Sequence, residues 1–299
     1  MKESKNIKLC CITFNLKQKS LSEEQIKSFL YPHKQEKYDI YIIATQECQR
    51  VTFINIFYSN KSSFELKLQE LFGDEFYNLK SKTLGGIHLI IFAKKLLKSH
   101  INKYSSNCIK TGFYGLFGNK GAISIYIEIF NFSFLFINAH FIKGKNNLLE
   151  RNFDSSFIYN SICPKIDKIN VVIWMGCLNY KVDAELGAFS EAYIKGKELT
   201  LLEKDQMIKQ KKNEEFIYNK FLEGEIKFLP TSKYDKNNKI DWTNKENYPG
   251  WTDRIFYKTN KNARTNFSLD LIKYESMNNI NFSDHKPVYA YFNFNYNYL

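Results

Sequence analysis

No stretch of this chain is apolar for anything near the ~20 residues that a membrane-spanning helix needs, and no apolar leader core follows the polar, charged opening Met1 to Lys8. A spanning helix is therefore excluded, and a soluble chain that meets membranes only at their surface is expected. The six cysteines, Cys10, Cys11, Cys48, Cys108, Cys163 and Cys177, form no CxxC pair and no zinc-like spacing. Several sit in apolar runs, where a free Cys behaves as a small hydrophobe. A reducing, cytoplasmic setting follows as the simplest expectation. No internal repeat, low-complexity linker or composition shift divides the sequence, so one domain over residues 1–299 is expected; the chain is also expected to be monomeric. Acids are in deficit: 43 Lys and Arg stand against 31 Asp and Glu, a formal net charge of +12. A positive field concentrates anionic partners, whether membrane surfaces, soluble phosphates or nucleic acid. It is equally compatible with a solvated Lys-rich surface.

What is present is an alternation of short strand-like runs and amphipathic segments. Ile7 to Phe14, Asp39 to Ala44, Gly86 to Ala93 and Val171 to Met175 are apolar and rich in β-branched residues, which predicts buried strands. Ala122 to Phe130 and Phe132 to Ala139 predict two strands joined tightly at Asn131. Arg254 to Tyr257 and Val288 to Phe294 predict two late ones. Helices are predicted over Ser22 to Leu30, with Glu23 and Glu24 in the first turn where acids suit the helix dipole, over Ser62 to Phe72 ahead of Gly73, over Leu148 to Ile162 ahead of Pro164, and over Leu202 to Phe221.

Polar residues follow the predicted strands: Asn15, Gln46 and Glu47, His140, Asn179. Polar groups at strand ends above an apolar scaffold suggest one shared site. Each has a bland alternative. Asn15 fits a turn, Glu47 a surface acid, His140 a satisfied core histidine, Asp253 beside Arg254 a surface ion pair of little worth, and Ser283-Asp284-His285 a turn. In combination they suggest more. A carboxylate such as Glu47 at a strand end can hold a hard cation through oxygen, and His140 and His285 both flank strands. His33, His88 and His100 lack such a setting and are read as structural.

The order of the motifs resembles the inositol polyphosphate 5-phosphatases of the DNase-I-like superfamily. They run from Thr13-Phe14-Asn15 through Gln46-Glu47, TGFYGLFGNKG (Thr111 to Gly121), Asn138-Ala139-His140, LLERNFD (Leu148 to Asp154) and WMGCLNYK (Trp174 to Lys181). FLEGEIKFLPTSKYD (Phe221 to Asp235), PGWTDRIFY (Pro249 to Tyr257) and Ser283 to Val288 complete the set. The resemblance covers nearly the whole chain. GNKG, LPTSKYD and PGWTDRI in this order set it apart from the nuclease relatives.

That resemblance implies a four-layer α/β sandwich of two packed mixed β-sheets flanked by helices. It implies Mg²⁺-dependent attack of water on the 5-phosphate of phosphoinositides or soluble inositol polyphosphates, with nucleic acid not a substrate and peripheral contact with anionic membranes. By the same resemblance Glu47 holds Mg²⁺ with help from Asn15. Asn179 and His140 contact the scissile phosphate. His285 binds or polarises it, with Asp253 orienting the imidazole and Asp284 close by. Asn119 and Lys120 of GNKG, Lys233, Lys143 and Lys181 face the anionic substrate, Lys143 being the one for which a solvated surface position is most acceptable.

The chain departs from the family pattern at Cys177, where the motif reads Gly-Asp-Leu-Asn and that Asp activates the attacking water. An ordinary thiol keeps its proton at pH 7 where a carboxylate does not, and sulfur is a poor partner for Mg²⁺. Losing a general base costs ~10²–10⁴ in rate. A weak enzyme, a catalytically inactive phosphoinositide binder, an introduced substitution and a thiolate base are the open alternatives. Ser232 replaces a Tyr and Asn247 an Arg that help hold the 4-phosphate. Lys181 replaces an Arg, keeping charge and losing the bidentate fork.

Overall fold

Two runs in which every residue is buried set the architecture: Ile40–Gln46 (β2) and Val171–Cys177 (β8). A strand covered on both faces belongs at the centre of a layered sheet. The computed structural model describes residues 5–34, 37–48, 62–112, 117–162, 166–235, 237, 239–240, 249–260 and 266–297, and places each run centrally in a six-stranded mixed sheet. In the first sheet β2 lies parallel to Lys5–Asn15 (β1) and antiparallel to Ile87–Lys94 (β4), which carries Phe76–Leu84 (β3) at the edge. On the other side β1 pairs antiparallel with Val288–Tyr296 (β12), and β12 with Phe267–Ser276 (β11). The second sheet runs Ile101–Gly112 (β5), Phe117–Ile129 (β6), Phe132–His140 (β7), β8, Asp253–Thr259 (β10) and Leu222–Glu223 (β9), with β7 and β8 parallel.

The sheets pack face to face. Leu9, Ile42, Ile91, Ile125, Phe136, Ile173 and Phe292 interleave in one central core. The outer face of the first sheet buries Ile12, Tyr41 and Phe92 under Glu23–Lys34 (α1) and Ser62–Phe72 (α2), which contribute Phe29 and Leu68. The outer face of the second buries Leu135, Val172 and Trp174 under Leu148–Ile162 (α3), whose Ile158, Tyr159 and Ile162 point inward. Four layers result, as the family resemblance implies. Among the described residues no helix is long and apolar enough to cross a membrane.

Local chemistry fixes the element ends. Ser22 Oγ accepts from Gln25 N at 3.2 Å while Gln25 Oε1 accepts from Ser22 N at 3.0 Å, a capping box that starts α1. Phe130 (φ 50°) and Asn131 (φ 66°) form the two-residue turn between β6 and β7, the mirror-image type that suits strand twist. The helix expected over Leu202 to Phe221 is not continuous. It splits into a 3₁₀ segment Glu198–Lys204, a one-turn helix Gln206–Gln210 (α5) capped by Asp205 Oδ1 on Ile208 N, and a second 3₁₀ turn Ile217–Lys220. Asn213 caps the chain away from helix by accepting from Glu215 N, the competition that short polar side chains offer the backbone. A further helix, Leu186–Ile194 (α4), follows β8. Pro164 and Cys163 lie outside the described residues.

Gly176, with φ +145°, lets β8 lie against β7 immediately before position 177. A Cβ there would sit 2.0 Å from the Ala139 carbonyl oxygen. Gly176→Ala is expected to cost about 1–3 kcal/mol or more through overpacking and backbone strain, read as a lower urea midpoint with an unchanged m-value.

Candidate active site

Strand order collects the polar residues at one end of the sandwich. The parallel pair β1/β2 ends in Asn15 and Gln46, paired in register. In the second sheet Cys177 pairs with His140 on β7 and with Asp253 on β10, so three neighbouring strands carry these side chains in a row. The start of β12 returns to the end of β1, where Val288 pairs with Thr13, and brings Asp284 and His285 to the same edge. Ser283 Oγ closes the ring by donating to Asn15 O at 2.6 Å.

A buried polar bridge joins the sheets beneath the site. Gln46 Nε2 donates to Thr13 Oγ1 (3.0 Å) and to Asn138 Oδ1 (2.7 Å), and Asn138 Nδ2 donates to the carbonyls of Thr45 and His88. Inside a low-dielectric interior such satisfied networks hold one geometry. The loop after β7 is held by Arg151 of LLERNFD, which is fully buried and donates to the carbonyls of Ile142 (3.2 Å) and Gly144 (2.7 Å) and to Gln206 Oε1 (2.8 Å). That loop carries Lys143.

Glu47 stands at the centre of the edge with φ 48°, a left-handed backbone uncommon for this residue type and frequent at functional sites. Its Oε1 lies 2.7 Å from Lys143 Nζ, 3.4 Å from Asn15 Nδ2 and 3.7 Å from His140 Nε2. Burial alone would raise its pKa, but the Lys143 ammonium outweighs it and holds the carboxyl below its ordinary range. Lys143, for which the sequence allowed a solvated surface position, is part-exposed and is the ion partner of Glu47.

The two histidines titrate in opposite directions. Burial, reinforced by the Lys120 and Lys143 charges, pushes His140 well down, so its neutral ring accepts from Lys120 Nζ at 2.7 Å. Burial opposes charge at His285 too, but Asp253, with Oδ2 2.8 Å from His285 Nδ1, raises it to about 10. Environments that separate two like groups in this way divide acid and base roles between them. Asp253 Oδ2 also accepts from Thr231 Oγ1 (2.8 Å) and Thr252 Oγ1 (2.9 Å). The alternative of a surface ion pair between Asp253 and Arg254 is not formed. Strand alternation sends the two to opposite faces, and Arg254 is buried against Glu223 and Asp205 instead.

Asn179, with φ 56°, donates through Nδ2 to Phe141 O at 2.8 Å and lines the cleft with Lys181, Ser232, Lys233, Asp284 and His285. Lys181 is buried, and Lys233 partly so. Asn119 is exposed on β6 beside Lys120. Asp284 Oδ2 pairs with Lys17 Nζ at 2.5 Å. Lys17, Thr231 and Thr252 went unrecognised in the sequence. Thr231 and Thr252 lie inside LPTSKYD and PGWTDRI, and nothing in the pattern separates Lys17 from the other lysines. His88 is buried against Glu65 (2.8 Å), in keeping with a structural role. Asn247 and the His33 side chain lie outside the described residues.

As metal donors Glu47 and Asp284 bring carboxylate oxygens and Asn15 an amide oxygen, the donor type that suits Mg²⁺. Asp284 Oδ1 is buried and accepts no hydrogen bond among the described residues. The residues present therefore fit a hard divalent cation.

The sequence profile of Endonuclease/Exonuclease/phosphatase family 2 matches residues 12–291. A synaptojanin of Caenorhabditis elegans is 32% identical over 222 residues, covering 73% of this chain and 19% of the relative. The phosphatidylinositol polyphosphate 5-phosphatase type IV of Mus musculus is 28% identical over 311 residues, covering 96% of this chain and 46% of the relative. This chain therefore spans less than half the length of either. The crystal structure of a synaptojanin inositol polyphosphate 5-phosphatase domain, in complex with inositol (1,4)-bisphosphate and calcium ion, is similar at a TM-score of 0.85 and 28% identity, over 99% of this chain and 86% of that one.

Proposed function

The chain belongs to Endonuclease/Exonuclease/phosphatase family 2, and from that premise we propose that it is a Mg²⁺-dependent phosphatase that hydrolyses the 5-phosphate of phosphoinositides or inositol polyphosphates, slowed by Cys177. The observation that carries the reading is convergence. Asn15, Glu47, His140, Asn179, Asp253 and His285, drawn from both ends and the middle of the chain, share one strand-end edge, where Glu47 Oε1 lies 3.7 Å from His140 Nε2. The 5-phosphate class comes from the named relatives.

Glu47, Asn15 and Asp284 are the residues that would hold Mg²⁺, which when bound neutralises charge on the phosphoryl and leaving oxygens. Charged His285, fixed by Asp253, donates to a phosphoryl oxygen. Asn179 and neutral His140 orient the same group. Lys120, Lys181 and Lys233 add positive charge around the ring phosphates. Phosphate release from a panel of inositol phosphates and phosphoinositides, with Mg²⁺ and after chelation, tests the proposal. Cation-dependent release of the 5-phosphate is expected. No release with retained head-group affinity would replace the enzyme by a binder. The net charge of +12 supports peripheral contact with anionic membranes in a cytoplasmic, monomeric protein. Absence of salt-sensitive pelleting with phosphoinositide vesicles would remove the membrane part, and sedimentation velocity reads the oligomeric state.

Burial holds Lys120 and Lys181 down to about 8. Both are charged below that pH and neutral above it. KM for an inositol phosphate is therefore expected to rise between pH 7 and 9 by about tenfold, the equivalent of ~1.5 kcal/mol for one hydrogen bond from a charged donor to phosphate. A pH-independent KM would refute it, and Lys120→Gln combined with Lys181→Gln should flatten the profile.

A further inference from the structure

The residue that departs from the family pattern does not stand alone. Cys177, Asp253 and His285 each bring one potential ligand atom, a sulfur, a carboxylate oxygen and an imidazole nitrogen, to within 4.8 Å of one another. Among the described residues no other group of three such side chains is this close. Cys177 and Asp253 face each other across the β8/β10 pair, and His285 reaches them from the segment before β12. The set is held in place. Asp253 Oδ2 takes hydrogen bonds from Thr231 and Thr252, and His285 N donates weakly to Ser283 Oγ at 3.2 Å. The other carboxylate oxygen, Asp253 Oδ1, is buried and accepts no hydrogen bond among the described residues. A buried carboxylate oxygen without a partner is costly, and a bound cation removes that cost.

We propose that Cys177, Asp253 and His285 form a site for a thiophilic divalent cation of the Zn²⁺ class, separate in its donors from the all-oxygen set around Glu47. Three protein ligands of sulfur, nitrogen and oxygen suit Zn²⁺, and of the three His285 lines the cleft. Thiolate ligation selects it over Mg²⁺. On binding, the Cys177 thiol and the His285 ring each release a proton to solvent as the metal–sulfur and metal–nitrogen bonds form. The thiolate and the carboxylate together neutralise the cation. Lys120, Lys143 and Lys181, whose charges act on the Cys177 sulfur, oppose its entry and moderate the affinity. The site stands on these three side chains and does not depend on the phosphatase reading; with the cation bound His285 is neutral and no longer donates to phosphate, so the two occupancies of His285 and Asp253 exclude each other.

Cobalt is the probe. The full chain, kept reduced with a non-thiol reductant, is titrated with Co²⁺ and followed by the sulfur-to-cobalt charge-transfer absorption. One cobalt per chain with that band is expected, displaced by Zn²⁺ and untouched by a large excess of Mg²⁺. Cys177→Ser should abolish the band, whereas Cys108→Ser, at a half-buried thiol outside the cluster, should keep it. Asp253→Asn should weaken binding by about 10–100-fold or more with the band retained, which separates lost ligation from lost folding. No band in the parent chain, a band that survives Cys177→Ser, or displacement by Mg²⁺ would each overturn the site.

Discussion

Cys177→Asp is expected to raise kcat for phosphate release by about 10²–10⁴-fold, the range that a positioned general base contributes. The site is built to receive that carboxylate. Position 177 is fully buried between His140 and Asp253, so a side chain there cannot turn away to solvent. Lys120, Lys143, Lys181 and His285 all act electrostatically on the side chain at this position. Their charges compensate a second carboxylate beside Asp253, which would otherwise meet like-charge repulsion and burial together. The gain should lie in kcat with KM little changed, because proton transfer matters in the transition state and not in substrate binding. Steady-state kinetics of parent and variant on one inositol phosphate decide it, and equal kcat values would show that Cys177 is not what limits the chain. The same variant should lose the cobalt–sulfur band while it gains turnover.

Arg254→Met is expected to destabilise the fold by about 3–5 kcal/mol at neutral pH, the cost of breaking a buried ion group by removing one partner. Arg254 is 1% exposed. It donates to Glu223 through Nε (2.5 Å) and Nη2 (2.7 Å) and to Asp205 through Nη1 (3.1 Å). Glu223 keeps Tyr274 Oη at 3.1 Å when the guanidinium is gone. Asp205 keeps only the Ile208 amide through Oδ1, and its Oδ2 has no hydrogen-bond partner among the described residues. Burial already pushes the Asp205 carboxyl up against the pull of Arg254, and the variant removes that pull. A carboxyl whose folded pKa is raised gives its stabilising contribution below its unfolded value and loses it as pH rises through the folded one. The deficit of the variant should therefore shrink as pH falls from 7 toward 5. Chemical denaturation of both chains at the two pH values measures this, and a deficit that grew on acidification would refute it. Because Asp253 is the adjacent residue on β10, the variant should also weaken the hold on His285.

The elements legible in the sequence are the central ones. β1, β2, β4, β7, β8 and β12 are covered on both faces and read as apolar runs. Helices α2 and α3 have the predicted bounds, since Gly73 marks the end of the one and Pro164 follows the other in the sequence. The long strands that were not anticipated, β3, β5 and β11, are all sheet edges. Edge strands face solvent on one side and carry lysine, serine and asparagine against unwanted pairing, so FYNLKSKTL and INKYSSNCIKTG show little hydrophobic signal. At the site, the motif order singled out Asn15, Glu47, His140, Asn179, Asp253 and His285 because each follows or opens a strand. Pairing partners were not legible. Lys143 on Glu47, Lys17 on Asp284, and Arg254 on Asp205 and Glu223 are decided between segments 31 to 267 positions apart, where sequence spacing carries no distance.

The sequence by itself determined the layered α/β plan, the family and the residue types of the site, because burial periodicity and motif order are local properties of a chain. The tertiary structure alone decided the charge states. Whether a histidine is neutral like His140 or charged like His285, and whether a cysteine stands alone or beside an aspartate and an imidazole, depends on what the opposing strand brings within a few ångströms. Electrostatic energy falls with distance through space and takes no account of distance along the chain.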